Sequence, residues 1–342
     1  MPMARALRLC PQAMCVPVPG KACREKHREI RAVLDKHSPV VQSASIDEWY
    51  LDLGGTEALY TGATLEHLAH RIRNAVITET GLTVSIGGGT SKLVAKLAVE
   101  KAKPKPDNDA NGVNIVAPGA ELDFMKTLML ADIPGIGPKT TARLSARGLR
   151  RVVDVLALDN AALSRLVGRD ASWLAERVRG VDEGEVADRE FAKSISRDET
   201  FPTDIDDDLV LEGELTELVG RAAADLRSDA LRARTITVRI RDNDFTTRQA
   251  SRTVDEPLSS DKGVFTVARE LLRKLRKTRR TPARLLGVGL SNFTAPVVKQ
   301  LALFAHDREA LETPKDREVS RAVDEVREKF GRNAIAPGRK RG

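Results

Sequence analysis

Between Thr235 and Arg241 apolar and polar residues alternate one for one, with Ile236, Val238 and Ile240 set against Thr237, Arg239 and Arg241. Successive side chains of a strand point to opposite faces, so this pattern predicts a strand whose three aliphatics face a core and whose arginines face out. The same reading gives a strand over Arg189–Ile195, a helix over Leu209–Leu231 and a strand over Thr246–Val254. A helix over Val264–Lys277 and a strand over Arg284–Leu290 complete the series. That order, strand-helix-strand-strand-helix-strand, is the ferredoxin-like or split-βαβ arrangement. Earlier in the chain the apolar period lengthens to that of helices. Helices are predicted from Lys21 to His37, before Ser38-Pro39, and from Leu65 to Thr80, closed by Gly81. Residues 41–53 read as strand material, Thr83–Ile86 as a short strand, Gly87-Gly88-Gly89 as a turn, and Ser91–Lys103 as a helix ended by Pro104. A last amphipathic helix carries Val319, Val323, Val326 and Phe330, a spacing that suits packing. The pattern predicts an α+β, multidomain chain.

Charge changes the picture. The 342 residues hold 56 Lys and Arg against 49 Asp and Glu, a net charge of +7. Residues 221–300 alone hold 18 basic and 8 acidic residues, more than the whole surplus. A local positive field of this kind attracts polyanions. A membrane partner is not expected, because no basic helix has a bulky aromatic face and no apolar run reaches spanning length. The N-terminus lacks signal-peptide organisation, so the chain is expected in the cytoplasm. The three cysteines, Cys10, Cys15 and Cys23, are an odd number in one segment and argue against a disulfide framework. With His27 their spacing lacks the tight cysteine pair of a structural zinc site.

Candidate chemistry sits at three places. Asp47 and Glu48 are adjacent acids in strand-forming sequence, and they can converge on one site only if the chain bends there. Such a pair suits hard divalent ions that keep positions open for substrate phosphates. On the helix from Ser91, Lys92, Lys96 and Lys103 fall within about 40° of one another, while Leu93, Val94, Leu97 and Ala98 form a separate apolar stripe. A row of lysines can meet a triphosphate. In Ile133-Pro134-Gly135-Ile136-Gly137-Pro138-Lys139-Thr140, two glycines permit a hairpin with outward N–H groups, which bind phosphate without reading bases.

These segments carry a resemblance. Ser45-Ile46-Asp47-Glu48-Trp49-Tyr50-Leu51-Asp52-Leu53 resembles the palm metal motif of the Y-family DNA polymerases, the low-fidelity translesion enzymes, and most closely the bacterial DNA polymerase IV type. The stretch Ser91–Pro104 is similar to the family segment whose final lysine before proline contacts the nucleotide's phosphates. Lys103 matches that position, with Lys96 a second candidate. Gly135, Gly137, Lys139 and Thr140 match the helix-hairpin-helix of the family's thumb. The βαββαβ region resembles the family's little finger, with Arg239 and Arg241 toward DNA, and Lys193–Phe201 resembles its linker strand. Gln300-Leu301-Ala302-Leu303-Phe304 resembles the pentapeptide that docks bacterial polymerases on the sliding clamp; Gln300, Leu301, Leu303 and Phe304 would make the contact.

The resemblance implies a right-hand polymerase: fingers and palm over 1–120, thumb over 121–187, little finger over 188–298, and a clamp motif with a helical, basic tail over 299–342. It implies a monomer acting on primer-template DNA and dNTP with two Mg²⁺ ions. Asp47 would bridge both ions and Glu48 would complete the one nearest the primer. It also implies a third carboxylate ending a first palm strand, with a ribonucleotide-excluding aromatic just beyond. Upstream of Asp47 stand only Glu25, Glu29 and Asp35, all in the helical stretch 21–37. The chain is therefore expected to lack that strand, the steric gate and the fingers' Tyr/Arg contacts. Two readings follow: an error-prone DNA polymerase, or a non-catalytic DNA- and clamp-binding accessory protein of the same fold. A helix-hairpin-helix glycosylase or nuclease would leave the Ser45–Glu48 segment unexplained.

Overall fold

The computed structural model describes residues 3–56, 62, 64–188, 192–294, 310–331 and 334–335. The chain divides into two compact units, Met1–Arg189 and Glu190–Gly342.

In the first unit, α1 (Met3–Leu9) and α2 (Gly20–Leu34) precede a two-stranded antiparallel hairpin, β1 (Val40–Ser43) and β2 (Trp49–Asp52). Next comes α3 (Leu65–Thr80), bounded as its sequence predicts. The Thr64 hydroxyl accepts the His67 N–H, and Gly81 takes a left-handed φ of 71° while donating to the Ile77 carbonyl. Its buried Leu68, Ile72 and Val76 pack with Ile30, Val33, Leu34 and Val41 into one core beneath the hairpin.

The glycines after α3 do not make the expected turn. Gly87 and Gly88 lie within β3 (Ile86–Gly88), which pairs in parallel with β4 (Val113–Ile115), a strand the sequence pattern did not announce. Between them runs α4 (Lys92–Ala102), capped by the Ser91 hydroxyl. A Cβ on Gly87 would lie 2.2 Å from Val99 N and 2.3 Å from Ala95 O, so glycine here lets strand backbone rest on helix backbone. The rest of the unit is helical: α5 (Glu121–Lys126), α6 (Pro138–Ser145), α7 (Val152–Leu156), α8 (Asn160–Val167) and α9 (Ala171–Arg177). They surround Met125, Leu130, Ile133, Leu144, Val152 and Leu174, all buried.

The second unit has the βαββαβ order: β5 (Ser194–Ile205), α10 (Asp208–Ser228), β6 (Arg232–Asp242), β7 (Thr247–Leu258), α11 (Asp261–Thr278) and β8 (Ala283–Thr294). The sheet runs β5-β8-β6-β7 with every neighbouring pair antiparallel. Ile236, Val238 and Ile240 are fully buried against α10 and α11, as their alternation requires, and Thr237, Arg239 and Arg241 stand on the opposite face. A further helix, α12 (Pro314–Phe330), docks on this unit through charge. Arg227 of α10, almost wholly buried, bonds Asp324 of α12 at 2.6 Å and Asp261 of α11 at 2.8 Å. Glu312, just before α12, accepts the Ser259 and Ser260 N–H groups at 2.7 and 2.6 Å. The α+β class expected from the sequence holds.

Candidate active site and DNA-binding surfaces

The bend that Asp47 and Glu48 require is present. Ser43 pairs with Trp49, and residues 44–48 form the loop between β1 and β2. The Ala44 and Ser45 N–H groups both donate to the Glu48 carbonyl, at 2.9 and 3.2 Å. The Ser45 hydroxyl donates to Asp47 Oδ1 at 2.5 Å and accepts the Asp47 N–H at 3.3 Å. A short-range serine bond thus folds the loop that carries the acids. From α2, His27 Nδ1 lies 2.8 Å from the Ile46 carbonyl, and the imidazole stacks on Trp49 with centroids 4.9 Å apart.

Asp47 is exposed, and Glu48 is about one-third exposed. Lys96 donates to Glu48 Oε1 at 2.5 Å, and Lys92 one turn earlier donates to Gln42 Oε1 at 3.2 Å and the Glu185 carbonyl at 2.6 Å. Two of the three predicted lysines therefore tie α4 to the hairpin. Burial, with Glu48 and Asp182 nearby, raises the Tyr50 phenol above its ordinary range. Lys103 departs from the predicted stripe. The helix ends at Ala102, Lys103 is extended (φ −65°, ψ 120°), and its ammonium bonds Glu100 at 2.6 Å. Pro104 disfavours helical geometry at the residue before it, so the helical angle counted for Lys103 does not apply.

Asp47 and Glu48 are hard oxygen donors of the kind Mg²⁺ takes, one or two carboxylates with substrate phosphates. Among the described residues no group of three His, Cys, Asp or Glu side chains is placed to hold a metal ion. The donor set suits one ion completed by substrate, and the cysteines are free.

At the glycine hairpin, Gly135 has φ +96° and Gly137 caps α6 with Pro138 at its first position. The first arm of the expected helix-hairpin-helix is a single 3₁₀ turn, Leu130–Asp132. Ile133 and Ile136 are buried, whereas Gly135, Gly137 and Lys139 are exposed and Thr140 half-exposed. A Cβ on Gly135 would meet the Trp173 ring at 2.9 Å.

On the sheet of the second unit, register places Asp198, Gly287, Arg239 and Gln249 in one row, and Thr200, Leu285, Arg241 and Thr247 in the next. The basic surplus read from residues 221–300 is largely spent internally. Arg239 pairs with Asp198 at 3.1 Å, Arg273 with Glu212 at 2.6 Å, and Arg276 with Asp206 and Asp208 at 2.7 and 2.5 Å. These acids lie before residue 221, outside the window that made the segment look so positive. Arg241 donates to the Thr247 hydroxyl at 2.9 Å. Gln300, Leu301, Leu303 and Phe304 fall outside the described residues.

The impB/mucB/samB family matches residues 1–100, and its C-terminal domain matches residues 192–303. The DNA polymerase IV of Dehalococcoides mccartyi strain CBDB1 is 33% identical over 341 residues, 99% of this chain and 83% of that protein. The chain belongs to the Y family of DNA polymerases. As a Y-family chain it is a DNA-directed DNA polymerase by kind, similar also to the DNA polymerase IV of Caulobacter vibrioides at 33% identity over 99% of this chain and 81% of that one. Among solved Y-family structures, a chimera of Dbh and Dpo4 aligns with a TM-score of 0.75 at 26% identity, covering 86% of this chain and 83% of that one. An insertion ternary complex of Dbh DNA polymerase aligns at 0.58 and 26%, with the same coverage. No described helix is long and apolar enough to cross a membrane.

Sequence reasoning placed Lys92 in the lysine row but passed over His27 and Ser45 as supports of the acidic loop. Only Ser45 left a readable mark, a serine two residues before an acid, the spacing of a side-chain turn.

Proposed function

We propose that this chain is an error-prone translesion polymerase, serving DNA damage tolerance, in which the Ser45–Glu48 loop is the catalytic metal cradle. The observation that carries this is the Asp47-Glu48 pair on a bent hairpin loop, with Lys96 bonded to Glu48. Asp47 and Glu48 would hold Mg²⁺, which when bound supplies charge neutralisation for attack of a primer 3′-hydroxyl on a dNTP. Ser45 and His27 hold the loop, and Lys96 and Lys103 provide point charges for the triphosphate. Gly135, Gly137, Lys139 and Thr140 offer backbone N–H groups and a cation to the DNA backbone, and Arg239 and Arg241 offer phosphate contacts from the sheet. Residues 1–120, 121–187 and 188–298 then correspond to fingers with palm, thumb and little finger. Replacing Asp47 or Glu48 by Ala should abolish primer extension while leaving DNA affinity nearly unchanged. Near-normal extension by either variant would remove that residue from the site.

Gln300–Phe304 would dock on a bacterial sliding clamp, and Leu303→Ala with Phe304→Ala should then weaken clamp binding but not DNA binding. Unchanged clamp affinity would assign that segment to structure.

A second reading is favoured by the missing three-ligand group among the described residues. Two carboxylates cannot by themselves fix two ions, and the chain would then serve as a DNA- and clamp-binding accessory. Robust Mg²⁺-dependent extension by the pure 342-residue chain would eliminate it.

A further inference from the structure

Across the exposed face of the second unit's sheet, the two central positions of β8 that face outward are glycines. Gly289 stands in a row with Ser196, Thr237 and Ser251, and Gly287 in a row with Asp198, Arg239 and Gln249. Two outward positions without side chains leave a shallow trough, bordered by Ser196 and Thr237 at Gly289 and covered by Asp198 at Gly287, which is buried. Asp198 reaches across it from the edge strand: an added Cβ on Gly287 would lie 1.7 Å from Asp198 Oδ1, so only glycine leaves room for the carboxylate. On the far side the carboxylate meets Arg239 at 3.1 Å. Both partners remain open to solvent, Asp198 at 37% and Arg239 at 41% side-chain exposure, so an anion from outside can displace the carboxylate from Arg239.

We propose that Asp198 is a resident phosphate mimic. It occupies, over the Gly287–Gly289 trough, the place where a backbone phosphodiester of bound DNA meets Arg239, and DNA must displace it. The proposal rests on the reading that this sheet face contacts DNA. Three observations support it. A carboxylate and a phosphodiester each offer Arg a pair of anionic oxygens that can accept its N–H groups. The glycines allow close approach of a backbone, as they already allow that of Asp198. Of Arg239 and Arg241, the second makes only a neutral bond among the described residues, so Asp198 masks one specific cation rather than the face as a whole.

The consequence is self-competition. Removing the Asp198 charge without changing its size should tighten DNA binding, because Arg239 is then free before the DNA arrives. With an exposed pair worth about 0.2–1 kcal/mol, the gain should be about 1.4- to fivefold. Counterion release at Arg239 should also steepen the salt slope by about one.

The test uses the full chain with a fluorescein-labelled primer-template duplex, titrated across a series of NaCl concentrations. The variants are Asp198→Asn, Arg239→Gln, Arg241→Gln and the Asp198→Asn/Arg239→Gln double variant. The expected result is tighter binding by Asp198→Asn, weaker binding by Arg239→Gln, and no effect of Asp198→Asn once Arg239 is gone. An equal gain in the Arg239→Gln background would reduce Asp198 to general charge repulsion and overturn the proposal. So would an unchanged Asp198→Asn affinity when Arg239→Gln weakens binding, while leaving the sheet-face reading intact. No effect of Arg239→Gln or Arg241→Gln would overturn the sheet-face reading itself, and the proposal with it.

Discussion

Lys96 and Glu48 neutralise each other: the ammonium on α4 lies 2.5 Å from a carboxylate of the β1–β2 loop, each about one-third exposed. One of the two candidate metal donors is therefore already occupied by a cation. Lys96→Gln should tighten Mn²⁺ binding in the absence of nucleotide about 1.4- to fivefold, the range of an exposed ion pair. Electron paramagnetic resonance titration of Mn²⁺ would read this directly, and equal affinity in the two proteins would mean that the pair does not compete with metal.

Gly135 is constrained twice, by its left-handed φ and by the Trp173 ring at 2.9 Å from where a Cβ would stand. Gly135→Ala should cost about 1–3 kcal/mol in stability and weaken DNA binding. Adding Trp173→Ala should restore only the steric share. Chemical denaturation of the single and double variants separates the two, and full rescue would mean that the φ constraint contributes nothing.

Arg227 is the buried cation that joins α10, α11 and α12. Burial raises the Asp261 carboxyl above its ordinary range even with Arg227 beside it. Arg227→Met keeps the apolar stem and leaves Asp261 and Asp324 unpaired, so it should destabilise the second unit by about 2–4 kcal/mol. A urea midpoint within error of the parent protein would show that α12 is not held by this clasp.

Acid should loosen the same unit. The Thr313 hydroxyl and N–H, with Lys262, hold the Asp316 carboxyl at about 2, and Arg279 with Thr246 holds that of Asp244 at about 2. Both lie below the unfolded value of about 4, so folding favours the ionised form. Their stabilisation is complete above about pH 4 and is lost as pH falls toward 2. Thermal midpoints measured across that interval should fall, and fall less in Thr313→Ala and Arg279→Gln. An identical acid slope in both variants would assign the loss to other groups.

Much of this was legible in the chain, for physical reasons that differ by element. Helix α3 could be bounded because Thr64 and Gly81 act locally on its own ends. The faces of β6 were readable because one buried side of a sheet imposes alternation. The acid loop was readable because two adjacent carboxylates in strand sequence demand a bend. Gly87 and Gly88 were misread because a turn and a close backbone contact both call for glycine, and the contacting residues, Ala95 and Val99, follow no local rule. The charge surplus overstated the number of free cations for a similar reason. Arg227 and Asp324 stand 97 positions apart, and Arg239 and Asp198 stand 41 apart, so counting along the chain cannot tell a paired arginine from a free one.

The contact at Gly87 has a reach beyond packing. It fixes the depth at which α4 lies on β3, and α4 carries both Lys92 and Lys96 to the β1–β2 hairpin. A methyl group there would lift the helix and draw two positive charges away from the acidic loop together. An uncharged position thus works as a spacer that sets the electrostatic potential at Glu48, and a defect in it would imitate the loss of a lysine.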